Sequence, residues 1–199
     1  MKNNIFKSLL AGILIGIGSF AYIACLIKEQ PFIGAFLFSL GLISVFLLEA
    51  NLYTGKIGSI ELKIKCIVNL LITLLFNFIG IAIVALIALS NNDIVMKTAE
   101  VVASKINKEW YQILLDSIMC GALIELAVGL KKKTNSLLPT VLCIMVFIIS
   151  GFEHCIANLF YYIVGYQSFN IFGLLAFVFY ILGNSIGAIF ISRSISSNF

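Results

Sequence analysis

Two of the longest apolar runs in this sequence are interrupted by groups that hydrocarbon cannot solvate. One runs from Phe32 to Leu48 and then reads Glu49-Ala50-Asn51-Leu52-Tyr53-Thr54-Gly55. The other runs from Leu137 to Ser150, continues as Gly151-Phe152-Glu153-His154-Cys155-Ile156-Ala157-Asn158, and resumes an apolar tail through Val164. A peptide N–H or C=O left unpaired in lipid costs several kcal/mol, so irregular backbone at that depth survives only where protein buries it or a wet cavity meets it. Both interruptions are therefore expected to face inward.

The rest of the chain reads as membrane protein. Of its 199 residues 61% are hydrophobic and only 11% charged, against about 25% charged in soluble domains, and the mean hydropathy is +1.12. At ~20 residues per crossing helix there is room for about six spans, near 6–27, 31–54, 66–89, 111–130, 137–165 and 170–192. One transmembrane domain over 1–199 is expected, because the longest polar stretch, about 90–110, is too short to bury a core and reads as an external connection. The first run is too long for the apolar part of a signal peptide and lacks a convincing cleavage site. Lys2, Lys7, Lys56, Lys63, Lys65, Lys131, Lys132, Lys133 and Arg193 fall on one side, and Lys28, Lys97, Lys105 and Lys108 on the other. That asymmetry puts both termini in the cytoplasm of a multi-pass membrane protein. No basic stripe suggests nucleic acid. The triple lysine reads as a topological signal rather than a lipid-surface patch. Five cysteines, mostly within spans, and one histidine indicate neither a disulfide framework nor a metal site, and no cofactor is implied.

Taken as two three-span copies, about 6–89 and 111–192, the chain carries its interruptions at similar distances from the start of each copy. An odd number of spans per copy turns the halves over relative to each other. Paired interruptions of this kind point to a transport site near the bilayer midplane. Glu153 and His154 lie in one of them, and ionisable groups inside a membrane are functional candidates. Neighbouring residues on a helix point about 100° apart, a poor arrangement for a nucleophile and its base, so an enzyme built on His154 with Glu153 or Cys155 is not expected.

These residues resemble the formate/nitrite transporter family. Gly151 to Asn158 is similar to its broken fifth helix, and Leu52-Tyr53-Thr54 to the Leu-Phe-Thr of its looped second helix. Phe38-Ser39-Leu40-Gly41-Leu42, Phe76-Asn77-Phe78-Ile79-Gly80, Leu126-Ala127-Val128 and Leu182-Gly183-Asn184-Ser185-Ile186-Gly187 extend the likeness along the chain. The resemblance implies an all-α membrane protein of six helices in two inverted repeats, aquaporin-like, with broken second and fifth helices, assembled as a homopentamer in the lipid bilayer. Such proteins pass small monovalent anions of weak acids, such as formate, nitrite, acetate, lactate or hydrosulfide. Carried over by motif, Phe38, Ile124 and Phe147 would form one apolar constriction and Leu42, Leu52 and Tyr53 the other, with His154, Thr54 and Glu153 between them. Asn51, Asn158 and Asn184 are further pathway candidates.

A charge crossing a dry apolar ring is costly, whereas a neutral acid passes. A histidine can give an arriving base its proton and recover it later, and two half-helix N-termini would draw anions inward unless Asn51 and Asn158 cap them. Two departures qualify this. Where the family pattern has a lysine fifteen residues before Gly151, this chain has Ser136, leaving Lys131, Lys132 or Lys133 to reach the vestibule or the attracting charge absent. Glu125 is an added acid in the fourth span, expected to be neutral at that depth and readable either as a proton-relay group or as a hydrogen-bonding group at an interface. Both departures motivate an alternative, the same fold conducting a neutral or cationic solute. Asp116 and Glu49 read as solvated or capping groups.

Overall fold

The computed structural model describes residues 2–165 and 171–196; the expected start of the sixth span at residue 170 lies outside them. Among the described residues there are eight helices and no strand: α1 (Lys2–Ile27), α2 (Pro31–Leu47), α3 (Ile64–Ala88), α4 (Asn92–Ile106), α5 (Trp110–Thr134), α6 (Leu138–Ile149), α7 (Cys155–Gly165) and α8 (Ile171–Ser196). α1, α3, α5 and the Leu175–Ile195 part of α8 are long and apolar enough to cross a membrane. The chain's two prolines, Pro31 and Pro139, open α2 and α6, where a missing N–H costs nothing because the first turn has no acceptor for it.

α2 and α6 end in the same way. Ala50 N–H reaches the Val45 carbonyl (2.9 Å) and Glu49 N–H that of Phe46 (3.3 Å), while Phe152 N–H reaches Phe147 (3.0 Å) and Gly151 N–H reaches Ile148 (3.1 Å). This is the Schellman closure, which needs a left-handed residue just past the helix; Glu49 (φ 49°) and Gly151 (φ 70°) supply it. The fifth span therefore consists of two helices, as expected. The second does not resume: after Leu47 the chain passes through turns to Ile64 with no further helix, and Gly55 and Gly58 within that segment disfavour one. The 90–110 connection also differs from a plain loop. Asn91 accepts from Ile94 N–H (3.2 Å) and caps α4, and Ile94, Thr98, Val102 and Lys105 form its buried face.

α1 packs on α2 and α3, α5 on α6 and α8, and the two sets meet through α2 with α6 and α3 with α7. Small residues bring backbones together: any side chain at Gly12 would strike the backbone of Asn77, and one at Gly121 that of Asn184. These approaches place two asparagines against the two breaks. Asn77 of α3 donates from Nδ2 to the carbonyls of Ser8 (2.7 Å) and Asn51 (2.8 Å) and accepts at Oδ1 from Tyr53 N–H (2.8 Å). Asn184 of α8 donates to the carbonyls of Ser117 and Glu153 (both 2.8 Å) and accepts from Cys155 N–H (2.9 Å). Polar side chains such as Ser8, Asn51, Thr54, Asn77 and Asn184 are buried, whereas Phe32, Phe36, Leu40, Leu75, Leu86 and Phe190 lie exposed. That inside-out distribution is what a bilayer demands of a multi-pass membrane protein.

Asn77→Leu and Asn184→Leu each leave two backbone groups of a break without their amide partner, at about 1–3 kcal/mol apiece, while the Ser8 and Ser117 carbonyls keep their places inside α1 and α5. Each variant is expected to lower the thermal midpoint of the detergent-purified protein by on the order of 5–20 °C, read by size-exclusion recovery after heating; recovery curves matching wild type would contradict the clamp.

Candidate functional site

His154 stands where the second break meets α7. Its Nδ1 accepts from Ala157 N–H (3.1 Å) and its carbonyl from Asn158 N–H (2.9 Å), so the histidine is itself the cap of the half-helix. A ring nitrogen that accepts a backbone N–H carries no proton. The neutral imidazole is thus protonated on Nε2, which donates to Thr54 Oγ1 at 3.1 Å. Thr54, in the first break, is fully buried, and accepting from the ring leaves its own O–H to donate elsewhere. Phe147 stacks on His154 with centroids 5.8 Å apart, and Phe38 meets the edge of Phe147 at 5.7 Å. The chain thus brings together His154, Thr54, Phe38 and Phe147 from two breaks and two helices. Ile124, Leu42, Leu52 and Tyr53 are buried in the same core.

Cavities approach this centre from opposite sides. One of about 340 Å³ reaches His154 and Phe147 past Tyr22, Lys105, Lys108 and Tyr161. The other, about 590 Å³, lies by the amino-terminal turn of α1 and reaches Leu52 and Val45 past Lys56, Glu61 and Lys132.

Glu153 is fully buried and bonded three times: to Lys105 Nζ (2.5 Å) and Asn158 Nδ2 (2.8 Å) through Oε2, and to Lys108 Nζ (2.7 Å) through Oε1. Lys108 also binds Asp116 (2.6 Å) and the Gly151 carbonyl (3.1 Å). Burial works against the Lys108 charge, but the Glu153 and Asp116 carboxylates outweigh it and hold this amine, in the connection ahead of α5, above the ordinary lysine range.

Several expectations are corrected here. The bases that reach Glu153 are Lys105 and Lys108, in a connection where no site residue was expected; of the triple lysine, Lys132 lines the other cavity and Lys131 lies over the Phe46 ring at 5.9 Å. The signal was present in the sequence, since Lys105 continues the apolar face of a capped helix, but a connection taken as plain loop assigns it no face. Asp116 is paired rather than merely solvated, whereas Glu49, bound to Lys7 at 3.3 Å, is largely exposed. Ser136 accepts from Leu138 N–H (3.2 Å) and serves the start of α6. The α7 N-terminus is not capped by Asn158, nor does Asn51 cap a half-helix: Cys155 N–H goes to Asn184 and Ala157 N–H to His154, while Asn51 binds Asn4 (3.1 Å). With no helix after the first break, there is one half-helix terminus rather than two. Glu125 is 6% exposed, covered by this chain's own Gly58, where any side chain would overlap its carboxylate. Ser192 lies beside it, and its Oε2 has no partner.

The model of the family described as "Formate/nitrite transporter" matches residues 1–196. Among curated proteins, the chain is 29% identical over 149 residues to "Formate channel FocA" of Haemophilus influenzae, covering 64% of this chain and 51% of that one. It is 31% identical over 146 residues to "Uncharacterized transporter YrhG" of Bacillus subtilis, covering 64% and 55%. To "Formate channel FocB" of Escherichia coli it is 26% identical over 178 residues, covering 75% and 62%. The match thus spans about half to three-fifths of these relatives' length. Two solved structures share the fold: a "Pentameric formate channel with formate bound" (TM-score 0.79, 21% identity, 99% of this chain and 94% of that) and an "FNT family ion channel" (TM-score 0.85, 20% identity, 99% and 90%).

Lys105→Met leaves Glu153 with Lys108 and Asn158 and is expected to cost about 1–3 kcal/mol. Lys105→Met/Lys108→Met strands a buried carboxylate, at about 3–5 kcal/mol. Adding Glu153→Gln to the double variant should restore much of the loss in a thermal-melt comparison; a triple variant no more stable than the double would show that the lysines act independently of Glu153.

Proposed function

The chain belongs to the formate/nitrite transporter family, and from that footing we propose that it carries small monovalent weak-acid anions, of the formate, nitrite, acetate, lactate or hydrosulfide class, through a pore centred on His154 and Thr54. The protomer is read as two inverted three-span repeats, about 6–89 and 111–192, in an aquaporin-like arrangement, five copies forming a homopentamer with both termini cytoplasmic. The matched pair of asparagine clamps supports the repeat reading, and the pentameric structural neighbour supports the assembly.

The observation that carries the reading is a neutral imidazole, buried between two cavities, whose one N–H points across the gap between the two breaks. Lys105 and Lys108 are balanced by Glu153 and Asp116, so the first vestibule orients an anion rather than concentrating it. In the second, Lys56 and Lys132 outnumber Glu61. Past the Phe38, Ile124 and Phe147 ring, or the Leu42, Leu52 and Tyr53 ring, the ion leaves water, and a full charge there is costly. His154 Nε2–H and the Thr54 hydroxyl meet it as donors. For a proton to turn the anion into its conjugate acid the ring must first be charged, by a proton from vestibule water entering at Nδ1. The imidazolium then gives its Nε2 proton to the anion, and exchange of the remaining Nδ1 proton for one at Nε2 through water restores the starting ring. The charged state releases Ala157 N–H, because a protonated Nδ1 cannot accept it, so each transfer briefly opens the cap of α7.

A second reading keeps the pore but assigns a neutral or cationic solute. The balanced vestibule and the orphaned Glu125 oxygen favour it. Liposome flux of formate, nitrite, acetate, lactate, hydrosulfide and ammonia across a pH gradient separates the two: anion flux that rises as the external side is acidified supports the first, and ammonia movement without any anion supports the second. His154→Phe is expected to leave the pentamer intact and to remove the pH dependence of formate flux. A variant with the wild-type pH profile would refute proton exchange at this ring.

A further inference from the structure

One atom of the proposed Leu42, Leu52 and Tyr53 constriction is polar, the hydroxyl of Tyr53. It lies 2.9 Å from Ser185 Oγ on α8. Ser185 Oγ also stands 2.6 Å from the Ile181 carbonyl one turn earlier, and there only the serine can donate. Its lone pairs are left for the tyrosine, so the Tyr53 O–H is the donor to Ser185. The backbone of the same residue is held from another helix, because Tyr53 N–H donates to Asn77 Oδ1 at 2.8 Å.

The ring is therefore fixed at both ends, at its root by α3 and at its tip by α8. Ser185 follows Asn184, whose side chain clamps the other break, so the tip is tied to a part of α8 that is itself immobilised. An aromatic side chain secured only at its root can swing about χ1 and χ2 when a wider solute presses on it. One tied at the tip must first give up a hydrogen bond.

We propose that the Tyr53–Ser185 hydrogen bond is a size-selecting tether, with Ser185 as the positioning residue that keeps the Tyr53 ring in the constriction and so favours the smallest anions. The inference rests on the conduction reading above and adds a determinant of which anions pass. A one-carbon anion slips by the fixed ring, whereas a three-carbon hydroxy acid needs the ring displaced and meets the added barrier.

The test is the ratio of lactate to formate flux in liposomes, a quantity independent of how much protein folds or inserts. Tyr53→Phe and Ser185→Ala each remove the tether and are expected to raise the ratio about two- to tenfold, the span of one net hydrogen bond. Tyr53→Phe/Ser185→Ala should raise it no further, since the second change has nothing left to break, and Ser185→Thr, which keeps the hydroxyl, should retain the wild-type ratio. An unchanged ratio in both single variants, or a double variant in which the two effects multiply, overturns the tether. If wild-type pentamers carry no formate at all, the conduction reading falls and the tether falls with it, an outcome distinct from formate flux with an unaltered ratio.

Discussion

In hydrocarbon an unpaired peptide group is more costly than almost any side-chain choice, and a span that stops being helical halfway exposes several at once. The breaks after α2 and α6 are possible because one asparagine amide beside each supplies two donors and an acceptor in the right directions. An amide is the side chain suited to bridging two carbonyls and an N–H together without carrying a charge. Gly12 and Gly121 serve the same end, letting α3 and α8 close on α1 and α5 until the amides reach the breaks. Thr54 and His154 are held within hydrogen-bond distance because the residues beside them in the chain are clamped in this way.

The electrostatics follow from burial. Glu153 could not stand fully buried without its two lysines and Asn158, and those contacts tie α4 and its following connection to the start of α7. A segment that looks like a spacer between halves thereby becomes part of the wall of the histidine vestibule. The histidine needs no counter-ion, since its ring is neutral, capping α7 with one nitrogen and facing Thr54 with the other. Such a ring offers a donor to an anion without trapping it as a fixed cation would.

Much of this is legible from residue order alone. The apolar runs, the two interruptions and the Gly-Phe-Glu-His segment follow from composition and local pattern, because solvation by lipid acts on each residue wherever it stands. What escaped depends on distant neighbours. Lys105 and Lys108 lie more than forty residues from Glu153, and their role appears only once α4 is folded against α7. Gly58 reads as a turn former until Glu125 is found pressed against it. Ser136, singled out for what it replaces, serves only the opening turn of α6.

By itself the sequence determined that this chain lives in a membrane, where its spans fail to stay helical, and which ionisable groups sit in those failures, since each is a local matter of hydropathy and backbone preference. Only the tertiary structure decided which lysines neutralise Glu153, that the first break never resumes a helix, which nitrogen of His154 bears the proton, and that the Tyr53 hydroxyl is held by Ser185. Those outcomes depend on hydrogen-bond directions between helices far apart in the chain, and direction is a property that residue order does not encode until the helices pack.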